Sequence, residues 1–348
     1  MLILPLALLL ALATGIVANR LAQTIARRLA WLDRPGTEAH KHQARAVPYG
    51  GGPACLVAAV VSILILGLSS AEMPAADGRL WGLLGGMAGL FALGQIDDLR
   101  PLPARLKLAI QVAIVAAAVI GGGLRVHTLA VAWGPWAGLS AALIWCLLLT
   151  NAYNLIDHAD GLSAGCAIIS AVVLLSAALL GDDPGLALIW CLVIGTLGGF
   201  LVWNLPPARL YLGDAGSLPL GFVIGAGALA TTFWPSHQNP DGSPLAVMAP
   251  VLISAIPLYD TMVVMAKRWR RGRPLMRGDR MHIGHRLQRL GLSQRGSLAA
   301  VLALQTALAG AALMLRHADR LGTLVILAQA AAIFITILLL EANRDHDG

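Results

Sequence analysis

The stretch WGLLGGMAGLFALGQIDDLRPL, Trp81 to Leu102, joins a long apolar run to two adjacent carboxylates, Asp97 and Asp98. Such a run is typical of a helix that crosses a bilayer, which needs roughly 20 mostly apolar residues. Adjacent carboxylates repel each other, and the repulsion grows where hydration is poor, as at a membrane surface. The stretch therefore predicts a spanning helix with an acidic pair at the membrane rim. A solvated helix end followed by Arg100 is the simpler explanation of the pair taken alone.

The rest of the chain has the same apolar character. Of 348 residues, 57% are hydrophobic and only 12% are charged, whereas a soluble domain carries roughly 25% charged residues. This composition predicts an all-α, polytopic integral membrane protein with one domain over residues 1–348. We predict about eleven transmembrane helices, or ten if a weaker segment does not cross. They are 1–19, 50–70, 81–96, 106–121, 136–152, 162–180, 185–203, 217–233, 246–266, 298–315 and 321–340.

Lys and Arg are distributed unevenly between the two sides of this predicted topology. The loops on one side, with Lys107 at the edge of its helix, hold 21 of the 25 basic residues. Because short cytoplasmic loops are enriched in Lys and Arg, we expect that side to be cytoplasmic, with the N-terminus outside and the C-terminus inside. The net charge of +7 suits anionic head groups or a phosphorylated substrate, and nucleic acid is not needed to explain it.

The unusual polar clusters all fall on the predicted cytoplasmic side. They occupy residues 33–52, 97–107, 151–161, 211–217 and 268–286. Clusters at the same end of several helices are expected to meet around one site. Their distribution favours an enzyme or a transporter with a single cytoplasmic site.

Oxygen-bearing side chains in three of these clusters predict a magnesium site. Mg²⁺ prefers carboxylates together with substrate phosphates and water. Asp97, Asp98 and Asp214 supply carboxylates, and the glycines beside Asp214 let a ligand approach the backbone. Asn151 and Asn154 would share a helix face with Asp157, and a helix C-terminus capped by Asn and Gly is the alternative interpretation.

Two further clusters are open to more than one interpretation. PYGGGP, residues 48–53, is either a phosphate-binding nest or a flexible hinge. His282 and His285 could face one way on a helix, where phosphate binding suits them better than Zn²⁺, because no close third ligand is evident.

Together the clusters resemble those of the polyprenyl-phosphate N-acetylhexosamine-1-phosphate transferase family, the glycosyltransferase 4 family. The family's acidic pair with a following Lys and Gln matches Asp97, Asp98, Lys107 and Gln111. Its NAxNxxDGxDGL motif matches Asn151, Asn154, Asp157, Asp160, Gly161 and Leu162. Its FxGDxGS motif matches Tyr211, Gly213, Asp214, Gly216 and Ser217. Its early histidine and PxxGG motif matches His42, Pro48, Gly51 and Gly52.

The resemblance implies transfer of a sugar-1-phosphate from a UDP-sugar to undecaprenyl phosphate in a bacterial inner membrane, with release of UMP. Mg²⁺, or Mn²⁺ in its place, is the implied cofactor, and a homodimer is compatible with it. The expected sugar is N-acetylglucosamine (GlcNAc), and the reaction would begin synthesis of a cell-envelope glycan.

The resemblance also implies roles for individual residues. The metal ligands would be Asp214, Asn154 and Asp98. Catalytic roles would fall to Asp97 and Asp98, with Asp97 orienting or deprotonating the lipid phosphate. Tyr211 would stack on uracil, and Asp157 would hydrogen-bond the nucleoside. The remaining residues expected to bind substrates are Lys107, Asn151, Asp160, His42, His282 and His285.

The chain departs from the family pattern at two positions. The first Gly of DGxDG is His158, and the closing HxHH segment reads HIGH, so that Gly284 replaces its middle imidazole. These departures are compatible with an inactive homologue. A phospho-MurNAc-pentapeptide transferase and a transporter of an anion or lipid are further alternatives, whereas the Asp spacing does not follow the signature of a CDP-alcohol phosphotransferase.

Overall fold

The computed structural model describes residues 3–33, 46–69, 77–231, 247–272, 282–315 and 318–345. Most of these residues are helical, which confirms the all-α class. The helices are α1 Ile3–Arg28, α2 Gly51–Ser69, α3 Gly78–Leu99, α4 Ala104–Gly121, α5 His127–Trp133, α6 Pro135–Ile156, α7 Leu162–Leu180, α8 Pro184–Asn204, α9 Asp214–Ala230, α10 Ala249–Ile253, α11 Ala255–Arg270, α12 Ile283–Arg289, α13 Gln294–Leu315 and α14 Arg320–Asp345. Two short strands, β1 Leu32–Asp33 and β2 Val47–Pro48, pair antiparallel.

The protein is a polytopic membrane protein. Among the described residues, nine helices are long and apolar enough to cross a bilayer: α1 to α4, α6 to α8, α13 and α14. The predicted spans 217–233 and 246–266 correspond to the shorter α9 and to α10 with α11. Large apolar side chains such as Leu9, Leu64 and Leu324 are exposed, as expected for surfaces that contact lipid. The number of crossings and the cytoplasmic face stay predictions.

Helices α3, α6 and α9 form the packing unit that carries most of the predicted site, since α9 packs against both α3 and α6. Leu90, Leu149 and Phe222 are fully buried in the hydrophobic core. At Gly94 the backbone of α3 meets the backbone of α9, and a Cβ there would collide with the carbonyl of Asp214. Glycine is therefore required for the close approach of these two helices.

Helix α1 is longer than its apolar run, which the sequence predicts to end near residue 19. It continues to Arg28, and Asn19 and Gln23 are buried in its second half. The Asn19 side-chain amide donates to the Gly15 carbonyl at 2.8 Å, and that of Gln23 donates to the Arg209 carbonyl at 2.9 Å. The helix therefore extends beyond the apolar segment because its polar side chains find backbone acceptors.

The glycine-rich segment after β2 is tied to the loop that precedes α9. The backbone N–H groups of Gly51 and Gly52 donate to the carbonyls of Tyr211 and Leu212, both at 2.9 Å. Because these N–H groups already have protein acceptors, the geometry does not favour the phosphate-nest interpretation. The segment instead holds the loop before α9 in place.

Candidate active site

The ends of four helices bring five of the predicted polar residues together. Asp97 and Asp98 lie in the last turn of α3, and Lys107 lies in the first turn of α4. Asn154 lies in the last turn of α6, and Asp214 is the first residue of α9. Residues far apart in the chain thus form one cluster, as the sequence predicts.

Lys107 is the central cation of this cluster. Its Nζ donates to Asp97 Oδ2 at 3.1 Å and also contacts Asp214 Oδ2. The other oxygen of Asp97 accepts the backbone N–H of Leu102 at 2.9 Å. Both oxygens of Asp97 therefore have protein donors, and its carboxylate fixes the position of the lysine.

Asp98 caps the N-terminus of α9. Its two oxygens accept the backbone N–H groups of Asp214 at 2.9 Å and Ala215 at 3.0 Å. A carboxylate at this position satisfies free N–H groups and interacts favourably with the helix dipole. Gly213 precedes the helix with φ of +74°, and a Cβ there would lie 2.5 Å from Asp98 Oδ2. The cap explains the position of Asp98, while its predicted catalytic and metal-binding roles stay predictions.

We expect Asp98→Ala to lower the free energy of unfolding by about 1–2 kcal/mol, because both capping hydrogen bonds are lost. Thermal unfolding in detergent measures the change. Asp77→Ala is the matched control, since Asp77 caps α3 through Leu80 N at 3.0 Å. Both variants should lose stability, but only Asp98→Ala should lose activity. Unchanged stability of Asp98→Ala would contradict the capping role.

The two asparagines of α6 contact different partners. The Asn154 side-chain amide donates to Asp214 Oδ1 at 2.8 Å and to the Ser217 hydroxyl at 2.9 Å. That of Asn151 donates to Gln111 Oε1 at 2.9 Å. Asn154 Oδ1 accepts no hydrogen bond from any residue that the structure describes. Asn151 therefore joins α6 to α4, whereas Asn154 presents an available oxygen beside Asp214.

Asp157 ends α6 and lies close to the other acidic groups. Within the described parts of the chain, its carboxylate accepts no hydrogen bond. Burial, together with the negative charges of Asp214 and Asp98, raises the pKa of Asp157 well above its usual value. The Asp157 carboxyl group thus has no hydrogen-bonding partner among the described residues.

The donor set fits a hard divalent cation. Asn154 offers an available oxygen beside the carboxylate of Asp214, and the charge of Asp214 acts on the nearby Asp157. Oxygen ligands of this kind suit Mg²⁺. Both oxygens of Asp98 accept backbone N–H groups of α9, whereas those of Asp214 accept only from the side chains of Lys107 and Asn154, which can rotate away when a cation binds.

Asp160 and Tyr211 connect the loops around the cluster. Asp160 Oδ2 accepts the backbone N–H of Ala208 and the side-chain amide of Gln294, both at 2.9 Å. Burial raises the pKa of Asp160. The rings of Tyr211 and Tyr49 lie 6.1 Å apart. Asp160 thus has a structural role, and the predicted contacts of both residues with substrate stay predictions.

A buried carboxylate that sequence analysis missed orients the closing histidine segment. Asp260 Oδ2 pairs with His282 Nδ1 at 2.7 Å. Asp260 Oδ1 accepts the backbone N–H of Ile283 at 2.6 Å and the Arg286 guanidinium at 3.1 Å. An Asp inside the apolar segment 246–266 was a usable signal, because ionisable groups are rare there.

His282 and His285 both contact a third histidine. The ring of His158 stacks on His282 with centroids 4.2 Å apart, and it lies 5.2 Å from the ring of His285. Their contacts with phosphate stay predictions. The remaining histidine predicted to bind substrate, His42, lies outside the described residues.

Known proteins are similar to this chain over most of its length, including the helices that carry the site. A family model described as Glycosyl transferase family 4 matches residues 80–232, which include the clusters on α3, α6 and α9. A Streptomyces coelicolor protein named as a glycosyltransferase is 34% identical, over 89% of this chain and 69% of its own length. A Bacillus subtilis protein named as a probable undecaprenyl-phosphate N-acetylglucosaminyl 1-phosphate transferase is 27% identical, over 98% of this chain and 91% of its own length. A Yersinia pestis protein is named as an undecaprenyl-phosphate alpha-N-acetylglucosaminyl 1-phosphate transferase. It is 27% identical, over 79% of this chain and 74% of its own length.

Proposed function

Because the chain belongs to glycosyl transferase family 4, we propose that it transfers GlcNAc-1-phosphate from UDP-GlcNAc to undecaprenyl phosphate and releases UMP. The observation that carries the proposal is the cluster of Asp97, Lys107, Asn154 and Asp214, which hydrogen bonds and ion pairs join into one group. The names of the Bacillus and Yersinia relatives, which align with most of this chain, support the same activity. The product would begin a cell-envelope glycan.

The transfer is a displacement at phosphorus. An oxygen of the lipid phosphate forms a bond to the β-phosphorus of the donor. The bond from that phosphorus to the bridging oxygen breaks, and its electron pair leaves with UMP. Mg²⁺ bound by Asp214 and Asn154 would offset the charge on the phosphoryl oxygens.

Lys107 is placed to attract the phosphates. It lies between the carboxylates of α3 and α9, and Asp97 holds it there. The second pKa of a phosphate monoester is about 6, so the lipid phosphate is mostly dianionic at neutral pH. Its attack on the donor therefore needs little base catalysis. Since both oxygens of Asp97 are engaged by Lys107 and Leu102, we favour single displacement with Asp97 as a positioning group.

The donor is tested with the purified protein, Mg²⁺, undecaprenyl phosphate and radiolabelled UDP-sugars. We expect label from UDP-GlcNAc to enter the lipid fraction, with a product mass equal to GlcNAc-pyrophosphoryl-undecaprenol. Labelled UDP-MurNAc-pentapeptide serves as the competing donor in a parallel reaction. Label from that donor alone would identify the MurNAc-pentapeptide transferase, and label from neither would overturn the activity.

A further inference from the structure

The two positions at which the chain departs from the family pattern lie against each other. A Cβ atom built on Gly284 would lie 3.3 Å from Nε2 of His158 and 3.6 Å from the Ala159 Cβ. A contact of 3.3 Å is tighter than most real Cβ contacts, so the His158 ring already fills the space beside residue 284. Gly284 and His158 are therefore complementary in shape: the side chain absent from α12 makes room for the ring from the α6–α7 loop.

The His158 ring also contacts the two remaining imidazoles of the closing segment. It stacks on His282 with an interplanar angle of 24° and lies at 42° to His285. Its Nδ1 lies 3.2 Å from the carbonyl of Leu155, which can only accept, so Nδ1 carries the proton of this hydrogen bond. The ring is thereby held to the end of α6 while its face covers His282.

His282 is thus restrained from two directions. Asp260 binds its Nδ1 at 2.7 Å, so Nε2 is the ring nitrogen of this buried side chain that Asp260 does not engage. His158 covers one face of the ring. Asp260 fixes one edge of the imidazole, and the stacked ring limits its tilt. Preorganised groups bind more tightly, because less conformational freedom is lost when the ligand arrives.

We infer that His158 is a positioning residue that replaces an imidazole at position 284 and holds His282 in the orientation that binds the sugar nucleotide. The inference rests on the proposed function. The departures at 158 and 284 are then one coupled change, in which the third ring of the cluster comes from a different segment of the chain.

Exchange of the two residues tests the coupling. The four proteins are wild type, His158→Gly, Gly284→His and the double variant, each assayed for transfer with UDP-GlcNAc and undecaprenyl phosphate. We expect each single change to raise the KM for UDP-GlcNAc about 10-fold, with kcat changed less than about 3-fold. The double variant should return to within about 3-fold of wild type, because residues in contact do not act additively. The KM for the lipid should stay constant throughout.

If the two changes act independently, the donor KM of the double variant will rise by the product of the two single increases. That result would overturn the inference. A conservative variant separates positioning from general stability: His158→Phe keeps the ring face, so its donor KM should stay within about 3-fold of wild type. Equal donor KM values for His158→Gly and wild type would also overturn the inference, whatever their melting temperatures.

Gly284→Ala covers the case in which an exchanged histidine prevents folding. The added methyl group meets the His158 ring in the wild-type background, whereas in the His158→Gly background it meets open space. The donor KM should therefore rise only in the first background, and an equal rise in both would overturn the inference.

Binding of UDP-GlcNAc, measured by equilibrium dialysis with Mg²⁺, distinguishes the two proposals. Coupled binding in the exchange set without any lipid product would refute the proposed transfer and leave the role of His158 intact. Transfer by the wild type with additive variants would refute the positioning role alone.

Discussion

Asp214→Asn should lower kcat by about a thousandfold, because it removes the carboxylate on which both a cation and Lys107 depend. In the structure, Asp214 accepts from Lys107 and from the side-chain amide of Asn154. Asparagine keeps the shape of the side chain but removes its charge. Excess Mg²⁺ should therefore not restore turnover, and single-turnover measurements of lipid product give the rate.

The matched control is Asp183→Asn, which changes an acidic residue at the N-terminus of α8, where it caps Leu186 and pairs with Arg79. This variant should retain wild-type turnover. In the wild type, EDTA should abolish activity, and Mg²⁺ or Mn²⁺ should restore it. Full turnover by Asp214→Asn at ordinary Mg²⁺ concentrations would exclude Asp214 as a metal ligand.

Lys107→Met should lower kcat by about a hundredfold, since an ammonium that attracts the transferred phosphoryl group is lost. The same change should reduce the Mg²⁺ concentration needed for half-maximal activity by about threefold or more. The reason is that Lys107 and the metal compete for the charge of Asp214. The ammonium occupies Oδ2 of that carboxylate, and its removal leaves the acidic cluster less neutralised.

Titration of activity with Mg²⁺ tests both parts of this expectation. Arg105→Met is the control, because Arg105 lies in the same turn of α4 but is exposed. It should leave both kcat and the Mg²⁺ requirement close to wild type. If Lys107→Met needs more Mg²⁺ than wild type, then Lys107 assists metal binding, and the competition is refuted.

The apolar segments and the acidic cluster could be predicted from the sequence because both depend on local patterns. Asp97 and Asp98 follow an apolar run directly, and the run ends there as α3 does. The position of Lys107 also follows from its neighbourhood, one loop after the acidic pair. Such features need no knowledge of which helices pack together.

The partners of these residues could not be predicted in the same way. Asp98 caps a helix that begins 116 residues later in the chain, and no pattern near Asp98 indicates that contact. Asp260 and His282 are likewise joined across 22 residues that include segments the structure does not describe. Contacts of this kind depend on how the helices assemble, which single-sequence patterns do not encode.

The contact between α3 and α9 at Gly94 has a consequence for the position of Lys107. Main chain meets main chain there, so the separation between the acidic pair and Asp214 is set by two rigid helices rather than by side-chain rotamers. The Lys107 ammonium contacts Asp97 on α3 and Asp214 on α9, so the same backbone contact sets its position. Gly94, which bears no functional group, would thereby determine where the ammonium meets a phosphate.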